Sequence, residues 1–356
     1  MVKERKSNIE LLRILMMIMI IAHHYVVNSG ITELYDYNHI TGNMLFLQIF
    51  GFAGKAMING FLLISGYFMI KHKTSFKKII RMFLQIKFYV VFIYLFMLAL
   101  GYECFDIKSL IKVCFSITKG VNVGFTATFF LLYILMPFIN KLVDHLTKKQ
   151  FSWLLIILFI YYTLIPTFFI INDTFDELGW YITVYLIGGY IRLYLDQIVV
   201  SFKKGAFWIF INWILIVCSI IALDKVQHNP YHMVINANKL FSLTFAILLF
   251  MTFKNLAIGY NKVINKLSSA TFGVLLIHSN SDAMRQFLWK GLLKVPSFYN
   301  SPNLVIHAIL SVIGIYVICS IIELIRIQFI EKPILNRLYK ANFFIKSNQK
   351  YDLIWK

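Results

Sequence analysis

The chain has 356 residues, of which 59% are hydrophobic and only 14% charged, and a formal net charge of +19. Soluble domains carry about 25% charged residues, so a mean hydropathy of +0.72 excludes a soluble protein and implies a polytopic membrane protein. The placement of the basic residues accounts for the charge without nucleic acid, and the four cysteines (Cys104, Cys114, Cys218, Cys319) have no C-x-x-C or zinc spacing, so no metal is expected.

The first apolar stretch, residues 9–28, reads IELLRILMMIMIIAHHYVVN. A spanning helix needs ~20 mostly apolar residues. Lys3, Arg5 and Lys6 precede it, but no small-residue cleavage site follows, so it reads as an uncleaved first span. Ionisable groups inside a span are costly and mark functional paths. Arg13 and His24 are separated by about three helical turns, so their side chains point the same way, ~16 Å apart along the axis. Glu10 lies on nearly the same stripe. His23 is rotated by about 100° and is expected to face elsewhere. Two plainer readings compete: a helix-end Arg can snorkel to headgroups, and a lone His can be a packed core residue.

The second span, residues 46–70, carries Lys55, with Asn59 one turn on and Ser65 further down. Lys55 either pairs with an acid of another span or joins Asn59 and Ser65 in lining a polar cavity. Directly after it, KHKTSFKKIIR gathers Lys71, Lys73, Lys77, Lys78 and Arg81. This cluster either sets topology and touches anionic lipid or docks a phosphate-rich ligand.

Further spans are expected at 80–100, 121–139, 151–171, 180–195, 206–223, 239–253, 270–289 and 303–325. Residues 107–118 are too short to span and read as an interfacial or re-entrant piece. They hold Cys114, near Cys104, and a bridge between the two is left open. The sixth span is short and contains Gly188-Gly189. His228 and His232 are four apart, but Pro230 between them argues against a helix and so against a metal pair. In the ninth span His278 is followed one turn on by Asp282; the carboxylate either orients the imidazole and fixes its tautomer or sits at the water interface without a role. No G-x-S-x-G elbow, P-loop or dinucleotide turn is present.

With a cytoplasmic N-terminus, 24 of the 35 Lys and Arg residues fall in segments on the inner side. That alternation follows the positive-inside rule. The expected fold is an all-α transmembrane bundle of about ten spans, a single domain over 1–356 with both termini cytoplasmic. No soluble extracytoplasmic domain is expected.

Taken together, these pieces resemble integral-membrane acyltransferase family 3. Arg13 with His24 eleven residues on resembles the family's first-helix signature, and NGFLLISGYFM its second-helix segment. Lys78-Ile79-Ile80-Arg81 resembles its R-x-x-R element, with Lys in place of the first Arg. FFLLYILMPFIN, YLIGGYIR, TFGVLLIH and the basic tail with Glu331-Lys332-Pro333 are similar to later elements. A phenylalanine, Phe129 or Phe130, stands where the family has Trp in the fourth helix.

The resemblance implies a bacterial plasma-membrane O-acyltransferase. Acetyl-CoA would be the donor from the cytoplasm, and a surface polysaccharide or lipid-linked glycan the acceptor. His24 would be the base, His278 a second acid/base or orienting group, and Arg13, Lys78 and Arg81 donor contacts. Glu10, Lys55, Asn59, Ser65 and Asp282 would line the channel. A glycan exporter on the same fold, without acyl chemistry, is the alternative.

Overall fold

The computed structural model describes residues 6–72, 74–115, 125–169 and 176–354. All regular structure among them is helical. Helix α1 (Ser7–Val27) runs through the middle of the bundle, with 67% of its apolar window buried within the protein. By contrast, α10 (Phe202–Lys225) has 17% buried and turns most of its apolar surface outward.

The expected second span is two helices, α2 (Gly42–Gly51) and α3 (Gly54–Met69), broken by a turn at Phe52 and Ala53. The glycines at the break are poor helix formers, and such residues are a common cause of kinks. The pair runs antiparallel to α1: Gly51 meets Val26, Gly54 meets His23 and Gly60 meets Met16.

Next come α4 (Phe76–Ala99), α5 (Ile107–Phe115) and α6 (Phe125–Asp144). Helix α7 (Lys148–Phe159) passes through a π-helical turn (Ile160–Leu164) into α8 (Ile165–Phe168), and α9 (Glu177–Tyr194) follows. The piece expected at 107–118 is represented by α5, none of whose residues is buried; residues 116–118 lie outside the described residues, as do 121–124 and 170–171 of the neighbouring expected spans. Cys104 and Cys114 are exposed free thiols.

After α10 and α11 (Leu240–Lys254), the ninth expected span is interrupted. Helix α12 (Lys262–Ser269) precedes it, and the span itself divides into α13 (Thr271–His278) and α14 (Asp282–Arg285), the last leading into a π-helical stretch (Gln286–Leu292). Helix α13 ends at His278, and Ser281 caps a new helix by accepting from Met284 N at 3.2 Å. The chain closes with α15 (Leu304–Arg326), a π turn (Ile327–Glu331), α16 (Lys332–Leu338) and α17 (Asn342–Ile354). Among the described residues, seven helical stretches are long and apolar enough to cross a membrane.

Two features hold this bundle. The first is close backbone packing of α3 on α9. A Cβ on Gly66 would lie 2.0 Å from the Tyr185 carbonyl oxygen, and one on Gly188 2.4 Å from that of Leu63. Small residues at such crossings let backbones approach where no hydrophobic drive distinguishes helix from lipid. The glycine pair of the sixth span is thus a packing surface.

The second is a buried ion network between α4 and the α15–α16 junction. Arg326 donates to Glu323 at 2.7 and 2.8 Å and to Glu331 at 2.6 Å. Gln85 and Tyr89 also donate to Glu323, at 2.9 and 2.5 Å. The π turn places Glu331 five residues from Arg326 yet within reach of it. Charges at this depth persist only when paired and hydrogen-bonded.

Overpacking against a rigid backbone costs about 1–3 kcal/mol. Gly188→Ala should therefore lower the thermal unfolding midpoint of the detergent-solubilised protein. Gly314→Ala, whose added Cβ meets nothing within 4 Å, should leave the midpoint unchanged, and equal behaviour of the two would refute the packing role.

Candidate functional site

Arg13 and His24, on one face of α1, line a cavity of about 220 Å³. Its walls are largely apolar, with Met17 and Ile20 from α1, Phe61 from α3 and Phe129 from α6. Ser65 and Lys55 line it as well, and the Ser65 hydroxyl donates to the Phe61 carbonyl at 2.8 Å. Glu10 is buried behind this lining, where its carboxylate accepts from the hydroxyl of Ser268, itself a lining residue.

A second cavity, of about 300 Å³, opens towards the Val27 end of α1. His23, His24 and Lys55 line both. The two spaces therefore meet at one point on α1, near the break between α2 and α3.

At that point the histidines are held by hydrogen bonds whose direction can be worked out. His278 Nδ1 lies 2.6 Å from the Val274 carbonyl oxygen, which only accepts, so this nitrogen carries the proton. In neutral His278, Nε2 is then an acceptor. It lies 2.9 Å from His24 Nδ1, which must therefore donate. His24 consequently keeps its lone pair on Nε2. A helix carbonyl thus fixes one imidazole, and that imidazole fixes the tautomer of the next. His278 is fully buried and lines neither cavity, so it orients His24 from behind.

His23 is not turned away from the cavities as its helical angle implies. Its Nδ1 donates to the Gly51 carbonyl at 2.6 Å, at the broken end of α2. There is room for the ring because residue 54 is glycine: a Cβ there would lie 2.2 Å from His23 Cβ.

Several expected site residues lie elsewhere. Asn59 is fully buried and lines neither cavity; it bridges helices, donating to the Ala237 carbonyl at 2.6 Å and accepting from Trp180 Nε1 at 3.0 Å. Asp282 does not orient His278. The helix stops at His278, and the Asp282 side chain is 87% exposed and paired with Arg285 at 2.7 Å. Arg81 is paired with Glu331 at 2.6 Å, and Lys78 is exposed; neither reaches the histidine cavities. Helix α3 runs antiparallel to α1 and ends at Met69, and α4 begins at Phe76, so both lie at the same end of the bundle as Arg13.

The sequence turns His23 away from the site by its helical angle and does not single out the lining residues Ser279 and Arg285. Ser279 and Arg285 straddle a helix break, so no periodic spacing relates them to His278. Among the described residues, no group of three or more His, Cys, Asp or Glu side chains is placed to hold a metal.

A family model described as an acyltransferase domain matches residues 6–324. No curated protein and no solved structure matches the chain.

A bridging role for Asn59 has a measurable consequence. Asn59→Ala leaves the indole N–H and the Ala237 carbonyl without this partner, at a cost of about 1–3 kcal/mol. The variant should unfold at lower temperature while Ser65→Ala, on the cavity wall, unfolds like the parent; the reverse order would make Asn59 a lining residue after all.

Proposed function

The chain belongs to integral-membrane acyltransferase family 3, and from that premise we propose that it moves an acetyl group from acetyl-CoA to a hydroxyl of a surface polysaccharide or its lipid-linked precursor. The observation that carries this reading is the meeting of two cavities at His24. A transferase working across a membrane needs donor and acceptor to reach one base from opposite ends, and that geometry supports such a division.

On this reading the thioester end of the donor occupies the narrow, apolar-walled cavity on the Arg13 side. The acceptor hydroxyl arrives from the Val27 side. His24 Nε2 takes the hydroxyl proton as the oxygen bonds to the thioester carbon. The carbon–sulfur bond then breaks, and the departing sulfur takes the proton from His24. His278 holds the ring in the tautomer that leaves Nε2 free. Acid–base help of this kind contributes about 10²–10⁴-fold.

The donor's phosphates are assigned to Lys78 and Arg81, at the same end as Arg13. Arg81 is half exposed and shares Glu331, so it can present its remaining N–H groups to a ligand. We further propose ten crossings with both termini in the cytoplasm of a bacterial plasma membrane. The uneven distribution of Lys and Arg supports that orientation.

With purified full-length protein, acetyl-CoA and a glycan acceptor, His24→Ala should lower transfer about 10²–10⁴-fold while the protein still accumulates in membranes. His278→Ala should lower it less, since it removes only the orienting partner. An exporter without chemistry predicts instead that surface-polymer acetylation persists in His24→Ala cells while export stops.

Replacing Lys78 and Arg81 by Gln should weaken acetyl-CoA binding. Charge-assisted hydrogen bonds are worth about 1.5–3 kcal/mol each, so unchanged donor affinity would restrict the cluster to topology.

A further inference from the structure

The second cavity carries information about the acceptor. Among the described residues, its charged lining consists of Lys55 and Arg285; no carboxylate lines it, and none lines the adjoining cavity. Arg285 sits at the start of a π-helical stretch, a local irregularity found often at functional sites. Arg285 is itself half-buried, and Asp282, which pairs with it at 2.7 Å, has a side chain 87% exposed. A pair with one partner so exposed is weakened by solvent, so a ligand anion can compete for the guanidinium. The planar fork of Arg matches carboxylate and phosphate oxygens in pairs.

A second observation is independent of charge. Ser279 lines the same cavity, is fully buried, and its hydroxyl has no hydrogen-bond partner among the described residues. A buried hydroxyl without a partner is costly, and an unoccupied polar site is one of the explanations for it. Ser279 and Arg285 thus present donors to one space.

The chemistry at His24 adds a third consideration. When His24 takes a proton it becomes cationic beside Lys55 and Arg285, with no carboxylate among the described residues facing it across either cavity. A bound anion would supply the missing counter-charge.

We propose that the cavity at the Val27 end of α1 recognises an anionic acceptor, a glycan bearing a carboxylate or phosphate close to the accepting hydroxyl, with Arg285, Lys55 and Ser279 as its contacts. This rests on the acyl-transfer reading for its chemistry, but the binding preference is measurable without turnover. Neutral glycans leave two cations desolvated without compensation, which is the physical basis of the discrimination.

The test uses the full chain in nanodiscs of phosphatidylcholine, which carries no net charge. Three tetramers are titrated: a neutral N-acetylglucosamine tetramer, an alternating glucuronate–N-acetylglucosamine tetramer and a glycerol phosphate tetramer. One of the anionic tetramers should bind about 10- to 100-fold more tightly than the neutral one, and which one does so identifies carboxylate or phosphate as the group recognised. Arg285→Gln should reduce that preference about tenfold or more, and Arg285→Lys, which keeps the charge, should retain most of it.

Equal affinity for all three, no binding by either anionic tetramer, or a preference that survives Arg285→Gln would each overturn the proposal. Turnover with acetyl-CoA is followed in the same samples. Preferential binding without any transfer keeps the anionic site and overturns the acyl-transfer reading. Transfer to the neutral tetramer with equal affinity and rate keeps the transfer reading and overturns the anionic site.

Discussion

The polarity of the candidate site depends on the hydrogen bond between His24 and His278. It joins α1 to α13, and its direction is dictated by a backbone carbonyl, that of Val274, which can only accept. An imidazole in an apolar interior needs partners for its polar atoms. Here the need is met in series: the helix satisfies His278, His278 satisfies His24, and His24 is left with one nitrogen facing open space. Replacing the Val274 carbonyl with a donor would reverse every member of that series. Because the anchoring acceptor is main chain, its position does not depend on any side-chain rotamer.

The helix breaks cluster around this series. The turn at Phe52 and Ala53 brings the Gly51 carbonyl to His23. The stop after His278 places Ser279 and Arg285 on the second cavity rather than along a continuing helix. Irregular backbone within a membrane protein is tolerated where it is buried in protein or lines a polar space. Both breaks meet that condition. Long straight helices such as α10, with little of their surface buried, carry none of these groups.

Much of this was legible in the sequence where a rule needs only one helix. Arg13 and His24 share a cavity because eleven residues bring a helix back to nearly the same angle. Most of the apolar runs form helices within a few residues of the expected limits, while the second and ninth are broken. The failures share a cause, which is that they required knowledge of a neighbour. His23 was assigned by its angle alone, yet the break in α2–α3 opens space on that side too. Asp282 was paired with His278 on the premise of an unbroken helix, which the Ser281 cap removes. Asn59 has the composition of a channel residue and the position of a strut, since Trp180 and Ala237 lie far from it in the chain. Glu323, inside the last expected span, needed Arg326, Gln85 and Tyr89 to be explained.

The acids and bases within the bundle are treated differently. Glu10 is tied to a serine hydroxyl, Glu323 and Glu331 are locked onto Arg326, and Asp224 accepts from Gln48 at 3.0 Å. Each carboxylate is committed within the protein, away from the lining. Arg13, Lys55 and Arg285, by contrast, all line the cavities that meet at His24. The net charge of +19 does not by itself produce this, since most basic residues sit in segments flanking the spans. What matters is the sorting: the cavities that meet at His24 are lined by Arg13, Lys55 and Arg285 and, among the described residues, by no carboxylate. In a region of low dielectric, such a path attracts anions and disfavours other cations far more strongly than the same charges would in water. The tautomer series then places a neutral acceptor nitrogen at the centre of that positive path, where it can remove a proton from a hydroxyl without itself adding negative charge to the site.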